Sequence, residues 1–129
     1  MDELEKAKPP GQVQAIGFMH LIGGILNILS GLFWALYGAM MGLATFGIGL
    51  VACCPFFILV PIGIIEIISG AKHLSSNHAG LKPPKAVGII EIASILGCMV
   101  PSTVMGILTL VFLNDPEVQA YYNKTRYGA

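Results

Sequence analysis

Three ionisable side chains stand inside long apolar stretches of the sequence: His20, Glu66 and Glu91. His20 lies seven residues into the first stretch, Glu66 lies seven residues before the end of the second, and Glu91 follows Lys85 by six residues. If these stretches are helices that cross a membrane, the three side chains lie at similar depth. Two carboxylates and an imidazole in such a poorly solvated place would share protons. The residues therefore predict a proton or cation site, with a metal site as a further alternative.

The same residues also allow a purely structural interpretation. A glutamate near a helix end can extend its carboxylate to the interface, and each polar group can hydrogen-bond to a neighbouring helix, as we expect for Asn27. The adjacent residues Cys53 and Cys54 point about 100° apart on a helix and do not form a metal motif. The sequence has no Ser-His-Asp order and no phosphate-binding glycine loop. We therefore predict neither enzymatic activity nor a cofactor, and we assign no metal ligands.

The composition is typical of an integral membrane protein. Of the 129 residues, 55% are apolar and 11% are charged, whereas soluble domains carry about 25% charged residues. The mean hydropathy is +0.78. The charges lie mostly before residue 13, between 72 and 85, and after 114. We expect the lipid bilayer to be the main partner, and the zero net charge gives no reason to expect a nucleic acid.

A glycine-rich pattern recurs in three apolar segments: GILNILSG at 24–31, GIIEIISG at 63–70 and GIIEIASI at 88–95. Each copy places a polar side chain three residues after a small one, on one helical face. In lipid such a face lets helices approach closely and form hydrogen bonds. It predicts helix packing within the chain or between copies, and the sequence leaves both open. The residues of this predicted face are Gly17, Gly24, Asn27, Gly31, Gly38, Gly63, Gly70 and Gly88.

The apolar stretches predict two full spans and one ambiguous block. The first span covers 13–38, an outer turn covers 39–49, and the second span runs from about residue 48 to 73 with bends near Pro55 and Pro61. The lysine-bearing segment 72–85 is predicted to be cytoplasmic. Since two spans separate this segment from the N-terminus, the N-terminal tail is predicted to be cytoplasmic too.

The third apolar block, 86–113, is long for one crossing and short for two. A hairpin that turns near 97–103 keeps all seven Lys and Arg residues on one side, so we favour it. The alternative is three spans, the third kinked near Pro101. After this block, Asp115 and Pro116 predict a new helix, whose residues Val118, Tyr121 and Tyr122 are predicted to lie on the membrane surface.

The predicted fold is thus an all-α, polytopic transmembrane bundle with two full spans and a short C-terminal hairpin. It divides into a cytoplasmic tail at 1–12, a transmembrane helical domain at 13–113 and an amphipathic tail at 114–129. Both termini are predicted to be cytoplasmic.

Two stretches also carry a resemblance to known proteins. The segments LIGGILNILSGLFWALYG at 21–38 and GIIEIISGAKHL at 63–74 resemble the membrane-spanning four-domain family, which includes B-lymphocyte surface antigens and IgE-receptor beta chains. The ending, from Pro101 through GILTLVFLNDPEV at 106–118, is similar to the last helix of small bacterial four-helix membrane proteins. The resemblance implies four helices, cytoplasmic termini, and self-association or partnership with larger membrane proteins. The chain departs from that family because its third block lacks a large outer loop.

These observations lead to three functional expectations. The first is a packing or accessory subunit, or a homo-oligomeric scaffold, that acts through glycine-rich helix contacts with itself or with a larger membrane complex. The alternative is a proton or cation transport element that uses His20, Glu66 and Glu91. A third and weaker possibility is an accessory of a membrane enzyme with a cofactor bound at the level of these residues.

Overall fold

The structure is a computed structural model that describes residues 8–97 and 99–127. Within these residues the chain is helical and contains no β-strand. The first seven residues of the predicted tail at 1–12 lie outside the described residues, as does Cys98. The described helices are α1 (Gly11–Ala44), α2 (Ile48–Cys53), a 3-10 helix (Cys54–Ile58), α3 (Leu59–Leu74), α4 (Lys85–Ala93), a second 3-10 helix (Ser94–Gly97), α5 (Val100–Phe112) and α6 (Pro116–Tyr127).

Two helical segments are long and apolar enough to cross a membrane: α1, with 34 residues, and the continuous segment Ile48–Leu74, with 27 residues. The first is longer than predicted, because the segment expected to form an outer turn at 39–49 is helical as far as Ala44. This stretch contains no proline, and most of its residues are good helix formers such as Ala, Met and Leu. The turn itself is confined to 45–47 and contains Gly47 at φ 95°.

The second segment changes its helical type near its first proline. Pro55 lies in the 3-10 helix that separates α2 from α3, as expected where proline removes a backbone donor. Pro61 instead lies within the first turn of α3, a position where a missing N–H does little harm.

Glycines bring α1 and α3 into backbone contact. An added Cβ at Gly24 would lie 2.6 Å from the carbonyl oxygen of Gly63, and one at Gly70 would lie 2.7 Å from that of Gly17. The pairs show that the two helices run antiparallel with no room for side chains between them. The other glycines of the predicted face also lie against this same chain: Gly17 against His73 and Leu74, Gly31 against Val60, Gly38 against Cys53, and Gly88 against Gly106 and Thr109.

Residues 85–112 contain two short helices, α4 and α5, that pack against each other. An added Cβ at Gly106 would lie 2.6 Å from the carbonyl oxygen of Gly88 and 2.7 Å from Glu91 Cβ, whereas one at Gly88 would lie 3.3 Å from Thr109 Cγ2. Because later residues of α4 meet earlier residues of α5, the pair is antiparallel. At 1.5 Å per residue the two helices are only about 14 and 20 Å long.

The C-terminal helix α6 packs on the protein itself. It begins at Pro116, and Asp115 Oδ1 accepts a hydrogen bond of 2.9 Å from the backbone N–H of Glu117. The side chains predicted to lie on the membrane surface are instead buried in a core cluster, because the start of α1 and the 75–84 turn supply an apolar surface there. The members of this cluster are Val13, Ile16, Leu81, Leu113, Val118, Tyr121 and Tyr122.

Hydrogen bonds join the same three regions. The backbone N–H of Gly80 donates to the carbonyl of Thr125 over 3.0 Å, and Thr125 Oγ1 donates to the carbonyl of Leu81 over 3.2 Å. Gln12 Nε2 donates to Asp115 Oδ2 over 3.1 Å. The start of α1, the 75–84 turn and α6 therefore lie at one end of the molecule.

Candidate functional site

Polar side chains meet in the middle of the helical bundle. Six of them have no exposed surface, and they come from α1, α3, α4 and α5. We call this group the core polar cluster. Buried polar groups are costly unless they are paired, so a concentration of them between apolar helices needs a structural or functional reason. The members of the cluster are His20, Asn27, Glu66, Glu91, Ser102 and Thr109.

One half of the core polar cluster is centred on Asn27. Its Nδ2 lies 2.9 Å from both carboxylate oxygens of Glu66 and 3.0 Å from Ser102 Oγ. Ser102 Oγ in turn lies 3.5 Å from Glu66 Oε1. Since Ser102 stands in the first turn of α5, the contact with Asn27 places the tip of the α4–α5 pair level with the middle of α1.

The other half is centred on His20. Its Nδ1 lies 3.0 Å from Ser69 Oγ, and its Nε2 lies 3.4 Å from Thr109 Oγ1 and 3.5 Å from Glu91 Oε2. The contact with Glu91 has the distance of an ion pair but not the geometry of a hydrogen bond. Among the described residues, neither carboxylate oxygen of Glu91 has a hydrogen-bond partner. Glu91 is therefore the least satisfied member of the core polar cluster.

The two halves meet beside Gly23. An added Cβ at this position would lie 3.5 Å from Glu66 Oε2 and 3.5 Å from Glu91 Oε1. The structure thus brings all three residues singled out by the sequence, His20, Glu66 and Glu91, into one buried group. Neither glutamate reaches the surface, since both have 0% exposure, and so neither adopts the extended, interfacial arrangement considered above.

A polar chain leads from this group toward the end of the molecule that carries the 75–84 turn. His73 Nδ1 donates a hydrogen bond of 2.7 Å to the carbonyl oxygen of Ser69, whose hydroxyl contacts His20. The rings of His20 and His73 are 6.0 Å apart, edge to face. His73 in turn lies 6.0 Å from the ring of Tyr122 in α6. Ionisable and hydroxyl side chains thus extend from the buried carboxylates to the polar end.

Sequence reasoning missed several of these residues. Ser69 and His73 follow Glu66 by three and seven residues, which places all three on one helical face. That spacing was the available signal. Ser102 and Thr109 carry no comparable signal, because a lone hydroxyl in an apolar helix commonly bonds to its own backbone.

The side chains of the core polar cluster are better suited to binding a proton than a metal ion. In the described parts of the chain, no group of three or more His, Cys, Asp or Glu residues is arranged to hold a metal ion. The Asn27 amide donates toward both oxygens of Glu66 and so occupies the atoms that a cation would need. What the arrangement can do chemically is hold and pass a proton among a carboxylate pair and an imidazole.

Comparisons with protein-family models, with curated proteins and with solved structures give no match for this chain. The resemblance to the membrane-spanning four-domain family and to bacterial four-helix proteins therefore stays a prediction.

Proposed function

We propose that this chain is a multi-pass integral membrane protein that binds a proton between Glu66, Glu91 and His20 and conducts protons across the bilayer through this group. The observation that carries this proposal is the pair of fully buried carboxylates that approach each other at Gly23. Ionisable groups inside a membrane are rare and usually functional. Like charges in a poorly solvated site are costly to ionise together, so the pair retains a proton.

The proposed membrane arrangement has two full spans and one half-length hairpin. The spans are α1 and the segment Ile48–Leu74, which have suitable length and composition. The hairpin consists of α4 and α5, which are too short to cross a hydrocarbon core of about 30 Å. It enters from the side of the 75–84 turn and ends level with Asn27.

Both chain termini are proposed to lie on the side of the 75–84 turn. The contacts of Gln12 with Asp115 and of Thr125 with Leu81 support this orientation. The lysines of the 72–85 segment, by the positive-inside rule, make this side the cytoplasm. Protons would then enter the core polar cluster from the cytoplasmic side, where His73 lies beside His20 with ring centroids 6.0 Å apart.

Proton flux into vesicles tests the proposed activity. The full chain is reconstituted into liposomes that contain a pH-sensitive dye, and a potassium diffusion potential drives protons inward. We expect flux above that of protein-free vesicles, and its loss in Glu66→Gln and Glu91→Gln. Glu117→Gln is the matched control, because Glu117 is exposed at the start of α6. Wild-type flux equal to that of empty vesicles would refute the transport function.

Infrared spectroscopy tests the bound proton separately from transport. Between about pH 5 and pH 9 a protonated carboxyl band should persist in the wild type. It should disappear in the double variant Glu66→Gln/Glu91→Gln, which lacks both carboxyl groups of the core polar cluster. Two ionised glutamates throughout that range would exclude the shared proton, whatever the flux measurement shows.

A second candidate function is that of an accessory subunit, and the length of the hairpin favours it. Because the hairpin ends level with Asn27, it covers no part of the outer half of α1, which packs against the segment Ile48–Leu74 on another side. Tyr37 lies two heptads beyond Gly23 on the same side of α1 and is 44% exposed. A helix of a larger membrane protein, or of a second copy, would cover this surface.

Photo-crosslinking in native membranes tests the accessory role. A reactive group at Tyr37 should crosslink to protein. Ile22 is the control, because it is similarly exposed but lies in the half of α1 that the hairpin covers, and a reactive group there should crosslink to lipid. Lipid adducts alone at both positions would rule out a stable partner there.

A further inference from the structure

A cavity of about 740 Å³ opens at the end of the molecule that carries the 75–84 turn. It lies between the second half of α3, the turn itself and the first half of α4, outside the core polar cluster. Its polar wall includes Lys72, Lys82 and Asn77, and its apolar wall includes Ile65, Ile68 and Val87. Because one wall is cationic and the other apolar, the cavity suits a ligand that is itself divided into an anionic part and a hydrocarbon part.

We propose that this cavity binds an anionic phospholipid, with the phosphate between Lys72 and Lys82 and an acyl chain along Ile65, Ile68 and Val87. The inference rests on the membrane location proposed above but not on proton binding. Basic pockets beside transmembrane helices on the cytoplasmic side commonly bind lipid headgroups.

The order of the residues along α3 matches the order of groups in a phospholipid. Lys72 lies in the last turn of α3, and Ile65 precedes it by seven residues, or about 10 Å of helix. The helix thus carries a positive charge at its end and exposed isoleucines one and two turns before that end. This is the order in which a phospholipid carries its headgroup, its glycerol and its hydrocarbon chains. A free phosphate ion would use the lysines but gain nothing from the isoleucines.

A buried imidazole supplies a second polar group. His73 lines the cavity and is 2% exposed, and its Nε2 has no hydrogen-bond partner among the described residues. Its Nδ1 already donates to the carbonyl of Ser69, so Nε2 of the neutral ring is left as a hydrogen-bond acceptor. A hydroxyl group of a lipid headgroup, such as the glycerol of phosphatidylglycerol, would donate to it.

Lipid titration of the purified full chain in a neutral detergent tests the proposal. Phosphatidylglycerol and phosphatidylcholine with identical acyl chains are compared by native mass spectrometry. Removal of one lysine contact should weaken phosphatidylglycerol binding about fivefold, which corresponds to about 1 kcal/mol per charge near a lipid surface. We therefore expect this loss in Lys72→Gln and in Lys82→Gln, and about a 25-fold loss in the double variant.

Lys85→Gln is the matched control, because Lys85 carries the same charge three residues after Lys82 but does not line the cavity. It should bind phosphatidylglycerol like the wild type. Equal affinity for both lipids, or an equal loss in the control, would overturn the proposal. Soluble glycerophosphoglycerol should bind far more weakly than the lipid; if it binds as tightly, the cavity is a site for soluble phosphate esters and the lipid proposal is wrong.

The outcome can be separated from that of the proposed function. Flotation of the reconstituted protein with vesicles reports membrane insertion, and both proposals fail if the protein does not float. If it floats and conducts protons but does not discriminate between the two lipids, only the lipid site is refuted. If it discriminates between the lipids but conducts no protons, the lipid site stands and the transport function is refuted.

Discussion

The substitution Gly24→Ala tests whether backbone contact between α1 and α3 stabilises the protein. The new Cβ would lie 2.6 Å from the Gly63 carbonyl oxygen and 2.9 Å from the Ile67 backbone nitrogen. Neither atom can move without moving α3. Overpacking of this kind costs about 1–3 kcal/mol, and separation of the helices would weaken the hydrogen bonds of Asn27, one turn away, by about 1 kcal/mol.

Alanine is also a better helix former than glycine, by about 1 kcal/mol, which offsets part of this loss. We therefore expect Gly24→Ala to lower the free energy of unfolding by about 1–3 kcal/mol. The adjacent substitution Gly23→Ala is the matched control. Its Cβ would lie 3.4 Å from Met105 Sδ and 3.5 Å from each of two glutamate oxygens, which are ordinary van der Waals distances. The free energy of unfolding of this variant should therefore be unchanged or higher.

The single tryptophan of the chain provides the assay. Trp34 stacks on Phe56 with ring centroids 4.5 Å apart, so its fluorescence reports the packing of α1 against the second apolar segment. Unfolding is followed in mild detergent as a denaturing detergent is added. Equal midpoints for Gly24→Ala and Gly23→Ala would refute the close-contact reasoning.

Three further predictions concern other parts of the molecule. Burial raises the pKa of Tyr122 above its ordinary value of 10.0, so its contribution to stability is present below about pH 10 and is lost as the pH rises further. Tyr122→Phe should therefore lessen the fall in unfolding midpoint above pH 10, and an unchanged fall would contradict this. Asn27→Leu should lower the free energy of unfolding by about 1–3 kcal/mol, because Glu66 loses its amide donor; an unchanged midpoint would show that this donor contributes nothing. Cysteines introduced at Ser76 and after Tyr127, in a chain without its native cysteines, should be labelled by an impermeant reagent from the same side of the membrane; labelling from opposite sides would refute the hairpin.

The helical class and the two long apolar segments could be predicted because composition and hydrophobic length determine them directly. The meeting of Glu66 and Glu91 could be anticipated as well. The two residues stand at equal distances along the chain from the centre of the 72–85 segment. In two antiparallel helices joined by that segment, residues at equal distances from its centre lie at the same level. That argument uses only positions along the chain and needs no side-chain detail.

Other features are outside the reach of one sequence. The apolar face of α6 has the same sequence pattern whether protein or bilayer covers it. The sequence therefore predicts Tyr122 at the membrane surface, whereas in the structure its ring lies against that of His73. The glycine row posed a similar ambiguity, since small residues permit close contact with any helix. In the structure these glycines contact the second apolar segment of the same chain. Gly24 meets Gly63 and Gly17 meets Gly70, as expected for antiparallel helices with equal glycine spacing.

In the membrane arrangement proposed above, the hairpin of α4 and α5 cannot enter the bilayer during biosynthesis in the way that α1 can. Alone in lipid it would expose Glu91, Ser102 and Thr109. Their partners His20 and Asn27 belong to α1, which is made earlier. The cost of exposing these groups to hydrocarbon disappears only when the first two apolar segments have already associated. Insertion of the last apolar block is thus a step of tertiary assembly, which follows the folding of residues 11–74 and depends on its success.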